Sequence, residues 1–281
     1  MCFRILHVFP TFTLAGQQIR FCDLINLSEL NTKNIVIALD NNYSGFCRIK
    51  RLDRVEKVDF YFENKPFIKR IKDYRKILIN LKPDLMITYN WGSTEFIISN
   101  FFYSKCQMIH VEDGFNSDEI FKQKFRRVLA RRILFKKIHR LIVPSKTLEN
   151  VAINVWRQSS KKIVYIPNGI NLNSFKEERS YQRSSSPIMI GTVASIRRIK
   201  RLDRLIECFQ KLNKKGGLML SVVGDGEELP MLKDLAGDDE SIIFHGFQEN
   251  PKPYIAQMDI FALTSDSEQM PYTVLEAMAL G

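Results

Sequence analysis

The chain has 281 residues, of which 45% are hydrophobic and 26% charged, with a formal net charge of +11. That length exceeds the usual size of one domain and predicts two cores with a cleft between them; no apolar run approaches the roughly 18 residues a membrane span needs, which excludes an integral membrane protein. Cys2, Cys22, Cys47, Cys106 and Cys208 are odd in number and never spaced as Cys-x2-Cys, which excludes zinc modules and disulfide frameworks and fits reduced thiols in a cytosol.

The start, Met1 to Phe9, runs at once into a β-like apolar stretch with no small-residue cleavage site, which argues against export and for a cytoplasmic protein. Short β-branched runs then alternate with helix-length patterns. Ile5 to Phe9, Ile35 to Leu39, Leu85 to Thr88, Met108 to Val111, Leu141 to Val143 and Ile163 to Ile166 read as strands. Such alternation marks parallel α/β construction, with sites at the carboxyl ends of strands. Leu14-Ala15-Gly16-Gln17 follows the first strand and opens a helix, so Gly16 sits at a cleft-facing turn or a purely structural one. His110 lies near the end of a predicted strand, where cleft residues are expected, although a lone histidine is more often structural.

Two stretches are basic and amphipathic. Lys65 to Lys82 sets Phe67, Ile71, Tyr74, Leu78 and Leu81 on one face. Residues 122–140 read as one helix in which Lys122, Lys124, Arg126, Arg127, Arg131, Arg132, Lys136, Lys137 and Arg140 interleave with Phe125, Val128, Leu129, Ile133 and Leu134. A solvated outer face and docking on an anionic membrane are the two readings. The apolar residues are expected to pack on the sheet, so attachment would be mainly electrostatic, with Arg131 and Arg132 contributing. No groove-reading or base-stacking motif accompanies the charge, so nucleic acid is not expected as a partner.

The polar stretch 174–187, with Ser184-Ser185-Ser186-Pro187, reads as a linker between a first domain, 1–173, and a second, 188–281. The second series begins with strand Ile188 to Val193. Helix Leu202 to Leu212, strand Leu218 to Val223, helix Glu228 to Leu235, strands Ile242 to His245 and Ile260 to Leu263, and helix Pro271 to Leu280 follow. A β-α unit ending on its helix is expected to lack the receiving strand, which makes this domain incomplete.

Three segments of this half carry chemistry. Gly191 to Asp203 is a strand, loop and helix with Arg197, Arg198, Lys200 and Arg201 at the helix entry. The helix dipole disfavours cations there, so an anionic ligand such as a diphosphate would explain them. Val223-Gly224-Asp225-Gly226 starts a dinucleotide fingerprint, but Leu229 stands where its third glycine belongs. The glycines therefore admit a nucleotide or simply another backbone. In Glu268 to Gly281, Pro271 suits a first helical position and leaves outward N–H groups after Glu268, while Glu276 is the one charge from Tyr272 to Leu280 and needs a hydrogen-bonding partner. No metal-spaced histidine pair or Asp-x-Asp element appears, so metal-independent chemistry is expected.

Taken in order, Gly16, Ile166-Pro167-Asn168-Gly169-Ile170, the Gly191 to Asp203 loop, Val223 to Gly226, Phe244-His245-Gly246-Phe247 and Glu268 to Gly281 resemble glycosyltransferase family four, whose members are retaining enzymes of GT-B architecture. The resemblance implies two Rossmann-like parallel-sheet domains that bind a UDP- or GDP-linked sugar without a further cofactor or metal. It implies that Glu268 meets the donor sugar, Glu276 the ribose and Lys200 the diphosphate. Gly246 and Phe247 would lie beside the base, Gly16 near the phosphates, and His110 near the transferred sugar, which makes His110 and Glu268 the implied catalytic pair. The family's usual arginine falls on Ser195, leaving Arg197 or Arg198 to supply its charge. The acceptor would be a glycan or lipid-linked saccharide in cell-surface polysaccharide or glycolipid assembly. The alternative is an inactive truncated relic that keeps nucleotide or membrane binding.

Overall fold

The computed structural model describes residues 2–59, 65–103, 106–115, 117–119, 122–175 and 187–281. It divides into two compact units, Met1–Asn168 and Gly169–Gly281. Most of the predicted linker 174–187 lies outside the described residues. Phe175 is buried within the second unit, where the Lys252 ammonium sits 4.4 Å from its ring centroid.

The first unit runs β1 (Phe3–Phe9), α1 (Gly16–Leu27), β2 (Thr32–Ala38), β3 (Val55–Lys57), α2 (Phe67–Leu81), β4 (Leu85–Tyr89), α3 (Thr94–Phe101), β5 (Gln107–Val111), α4 (Phe125–Leu134), β6 (Arg140–Val143), α5 (Lys146–Asn154) and β7 (Ile163–Tyr165). Its strands form a seven-stranded sheet in the order β3-β2-β1-β4-β5-β6-β7, every pair parallel. Helices cover both faces, so strand residues are enclosed whichever way they point. Leu6, Val8, Ile35 and Met86 pack on one side with Tyr74 and Leu78 of α2, while Phe9, Val36 and Ala38 pack on the other with Phe21 and Ile25 of α1.

The second unit runs β8 (Ile188–Val193), α6 (Leu202–Leu212), β9 (Leu218–Val223), α7 (Leu229–Ala236), β10 (Ile242–Gly246), α8 (Lys252–Ala256), β11 (Ile260–Phe261) and α9 (Tyr272–Leu280). Its parallel four-stranded sheet has the order β10-β9-β8-β11. Helix α6 buries Leu202, Leu205, Ile206 and Phe209 against Leu220 and Val222 of β9. The α/β class and its parallel sheets are as the alternation of runs predicts. Strand β3 and helix α8 escape sequence reading because each is too short to display a period.

The basic segment 122–140 is not one helix. α4 ends at Leu134, a 3-10 turn covers Phe135–Lys137, and Arg140 opens β6. Its facing meets the expectation at Leu134, which packs in the core beside Val128, and departs from it elsewhere. Arg131 is fully buried, whereas Phe125, Leu129 and Ile133 are 76%, 44% and 57% exposed. The reason is a receptacle for the guanidinium: Arg131 donates to both carboxylate oxygens of Glu119, at 3.2 and 3.1 Å, and its Nε lies 3.6 Å from Glu112. Its charge also lies 4.9 Å from the Trp91 ring centroid and 5.0 Å from that of Trp156. Arg132 points sideways, donating to the Val155 carbonyl at 2.9 Å. Among the described residues no helix is long and apolar enough to cross a membrane.

Candidate functional site

In a parallel α/β sheet, ligands gather beyond the carboxyl ends of the strands where the strand order reverses. In the first unit that reversal lies between β1 and β4, and in the second between β8 and β11.

Beyond β1, helix α1 starts at Gly16 with Ala15 as its N-cap and no side-chain cap, leaving backbone N–H groups open there. Beyond β4, Asn90 adopts a φ of +54°, a conformation uncommon for a residue with a side chain. Its links explain why it persists: its N–H donates to Val111 O at 2.8 Å, its Nδ2 donates to Gln17 Oε1 at 3.2 Å, and its Oδ1 accepts from the Asp113 N–H at 2.9 Å. Asn90 thereby ties the end of β4 to the start of α1 and the end of β5. Arg20 of α1 forks onto both oxygens of Asp113, at 2.9 and 2.8 Å. Burial raises the Asp113 carboxyl above the ordinary carboxylate range, against the pull of Arg20.

His110 does not reach this edge. It is fully buried, hydrogen-bonded through Nδ1 to Thr88 Oγ1 at 2.8 Å, with Nε2 3.5 Å from Glu112 and its ring packed on Phe135 at 4.6 Å. The structure thus places His110 within the packing of β5, held by Thr88, Glu112 and Phe135. The residue of β5's end that remains partly open is Asp113, which sequence reading missed although Val111-Glu112-Asp113-Gly114 shows an acid just past the strand.

The second unit brings two expected residues together. Lys200 closes the 3-10 turn Arg198–Lys200 after β8, and Glu268 follows β11. The Lys200 ammonium donates to Glu268 Oε1, which also accepts from Ser265 Oγ at 2.8 Å. The pair is braced from both sides: Thr264 Oγ1 donates to Lys200 O at 3.0 Å and the Asp266 N–H to Ile199 O at 2.9 Å. Arg201 and Arg204 converge on Asp266, and Arg201 also forks onto Asp203, so its charge is spent locally. Arg197 is exposed and donates to Ser195 Oγ at 3.1 Å.

The glycines after β9 serve the backbone. Gly224 and Gly226 have φ of +136° and +157°, and a Cβ on either would run into the carbonyl oxygen of Ala194 or Ile196. The close approach is fixed by Ile196 N–H donating to Asp225 O at 2.8 Å. The close approach that these glycines admit in the structure is that of the Ala194–Ile196 backbone. Gly246 ends β10 with a φ of +68° and open space at its Cβ position, and Phe247 beside it is 63% exposed. Glu276 is half-buried on α9. Among the described residues no group of three or more His, Cys, Asp or Glu is arranged to hold a metal ion.

Residues 187–281 match the family model for Glycosyl transferases group 1. The chain is 28% identical over 152 residues to N-acetyl-alpha-D-glucosaminyl L-malate synthase of Bacillus anthracis, covering 53% of this chain and 37% of that protein. It is 30% identical over 151 residues to the O-antigen biosynthesis glycosyltransferase WclY of Escherichia coli, covering 50% and 41%. The matches thus span about two fifths of these relatives. Anabaena Alr3699/HepE, solved in complex with UDP and glucose, superposes with a TM-score of 0.77 at 17% identity, over 99% of this chain and 78% of that one. The second unit therefore resembles the group 1 glycosyl transferases in sequence, and the chain has the α/β fold of GT-B glycosyltransferases.

Proposed function

We propose that this chain carries the working parts of a retaining glycosyltransferase that moves a sugar from a UDP- or GDP-linked donor to an acceptor hydroxyl in polysaccharide or glycolipid assembly. The observation that carries the reading is the Lys200–Glu268 pair at the strand-order reversal of the second sheet, inside the segment that matches the group 1 family.

On this reading the donor diphosphate draws Lys200 away from Glu268, and exposed Arg197 adds a second cation. As the bond from the anomeric carbon to the diphosphate breaks and the acceptor oxygen bonds to that carbon, charge builds on the departing phosphate. Preplaced cations stabilise it there. The proton of the acceptor leaves with the diphosphate. Glu268, held by Ser265, orients the sugar; Glu276 accepts from the ribose; Gly246 and Phe247 flank the base; Gly16 offers backbone N–H groups to phosphate. No metal or further cofactor takes part. In the first unit His110 keeps its proposed catalytic role, and Asp113 at the end of β5 accepts a hydrogen bond from an acceptor hydroxyl. The chain would work on the cytoplasmic side, peripherally at an anionic membrane surface that presents a lipid-linked acceptor, with the basic segment 122–140 drawn to it.

Calorimetric binding of UDP, GDP and their sugars, followed by NMR of the transferred product, tests the reading. An inverted anomeric configuration overturns the retaining assignment, and absence of binding to any nucleotide or nucleotide sugar overturns the donor site.

A further inference from the structure

Helix α4 leaves an apolar stripe uncovered. At 100° per residue, positions 125, 129 and 133 advance by 40° steps along one stripe, and residue 131 points the opposite way. Arg131 is drawn inward by Glu119 and Glu112 beside buried Val128 and Leu134, and the stripe of Phe125, Leu129 and Ile133 faces outward, so α4 is apolar on both faces, unlike an ordinary surface helix. Exposed Arg126 lies on one flank, and exposed Lys136 and Lys137 extend the stripe at its carboxyl end. Among the described residues none of these three cations has a carboxylate partner. Lys162 donates to Lys136 O, and its ammonium is disfavoured first by burial and then by Arg140 and Lys137, so positive charge is crowded here without an acid to offset it.

A contiguous apolar stripe with uncompensated cations at its border needs a cover that is apolar at depth and anionic at its surface. A second copy of the chain fits poorly, because pairing the stripes would set Arg126, Lys136 and Lys137 against their own kind. We propose that α4 seats in the interface of an anionic bilayer by inserting Phe125, Leu129 and Ile133 among the acyl chains, with Arg126, Lys136 and Lys137 at the phosphate level. This deepens the membrane reading of the proposed function: attachment is by insertion, and the buried Arg131 is what turns the apolar stripe toward lipid.

The test uses the whole chain carrying Leu129→Trp, mixed with phosphatidylcholine–phosphatidylglycerol vesicles, and reads its fluorescence against the parent, whose own tryptophans supply the background. Insertion predicts a blue shift and quenching by lipids brominated on the acyl chains. The triple variant Phe125→Ser, Leu129→Ser, Ile133→Ser should partition at least about tenfold less, and Lys136→Gln with Lys137→Gln should weaken binding to anionic vesicles more than to neutral ones. All variants should keep the parent's nucleotide affinity. Vesicle binding without quenching, fully released by high salt, overturns insertion and leaves electrostatic attachment. Equal partitioning of the triple-serine variant also overturns it. So does a lipid-free dimer that the serines dissociate, since a second copy would then cover the stripe. Nucleotide binding by the parent is read separately, so loss of the donor-site reading and loss of this one are distinguishable.

Discussion

Lys200 and Glu268, separated by 68 positions, join the ends of the two strands between which the order of the second sheet reverses. Each neutralises the other, so a diphosphate must compete with Glu268 for the ammonium. Lys200→Ala should lower nucleoside-diphosphate affinity by a charge-assisted interaction of about 1.5 to 3 kcal/mol while leaving nucleoside affinity nearly unchanged. Glu268→Gln should free Lys200, so diphosphate binding holds or tightens while sugar transfer falls. Isothermal titration with UDP and uridine, or GDP and guanosine, checks both; equal losses for nucleotide and nucleoside would make Lys200 a structural residue.

Glu276→Ala should weaken binding of ribonucleotide by about 1.5 to 3 kcal/mol, the worth of a charged acceptor. A deoxyribose analogue should lose little. If both ligands bind the variant as they bind the parent, the ribose assignment is wrong.

Gly224→Ala should destabilise the second unit by about 2 kcal/mol or more, because alanine resists a positive φ and its methyl would meet the Ala194 carbonyl. A lowered urea midpoint would register it. Gly216→Ala, with a φ of +72° but open space, is the control for conformational strain without a clash.

Arg131→Ala leaves Glu119 facing its buried receptacle without its principal counter-charge. Burial pushes the Glu119 carboxyl up, yet the Arg131 hydrogen bonds outweigh it and hold the group below its ordinary value. Breaking such a pair costs about 3 to 5 kcal/mol, so the first unit should unfold at clearly lower denaturant. Arg132→Ala, which loses a bond to a backbone carbonyl, should cost far less.

Stability of the first unit should fall as pH drops from 6.5 toward 5. Burial lowers His7 to about 4, against a hydrogen bond from its Nε2 to Asn34 Oδ1 that works the other way. Above pH 6.5 neither folded nor unfolded histidine is protonated; below it the unfolded chain takes up a proton that the folded chain refuses, and the difference reaches about 3 kcal/mol once pH nears 4. His7→Gln should flatten this slope in melts recorded between pH 7 and 5.

The parallel architecture was legible because β-branched runs and helix-length spacers report directly on strands and covering helices. Lys200 and Glu268 were legible for a related reason: both lie just past predicted strands, and chain order alone puts them on one edge. His110 lies inside its strand and is buried there. With both sheet faces covered, only residues past the last strand pairing, such as Asp113, reach the edge. Arg131 was beyond reach from sequence. Its burial depends on Glu112, Glu119, Trp91 and Trp156, which come from other elements, while the helix's own pattern has apolar and basic residues enough to face either way.

The interlock of Gly224 and Gly226 with Ala194 and Ile196 bears on how such a chain can diversify. Two turns whose backbones touch cannot drift independently, since a side chain gained by one must be met by withdrawal of the other. Inherited variation that changes ligand preference in this unit would then accumulate at positions with room around them. Gly246, with nothing near its Cβ position, and outward-facing Phe247 are two such places.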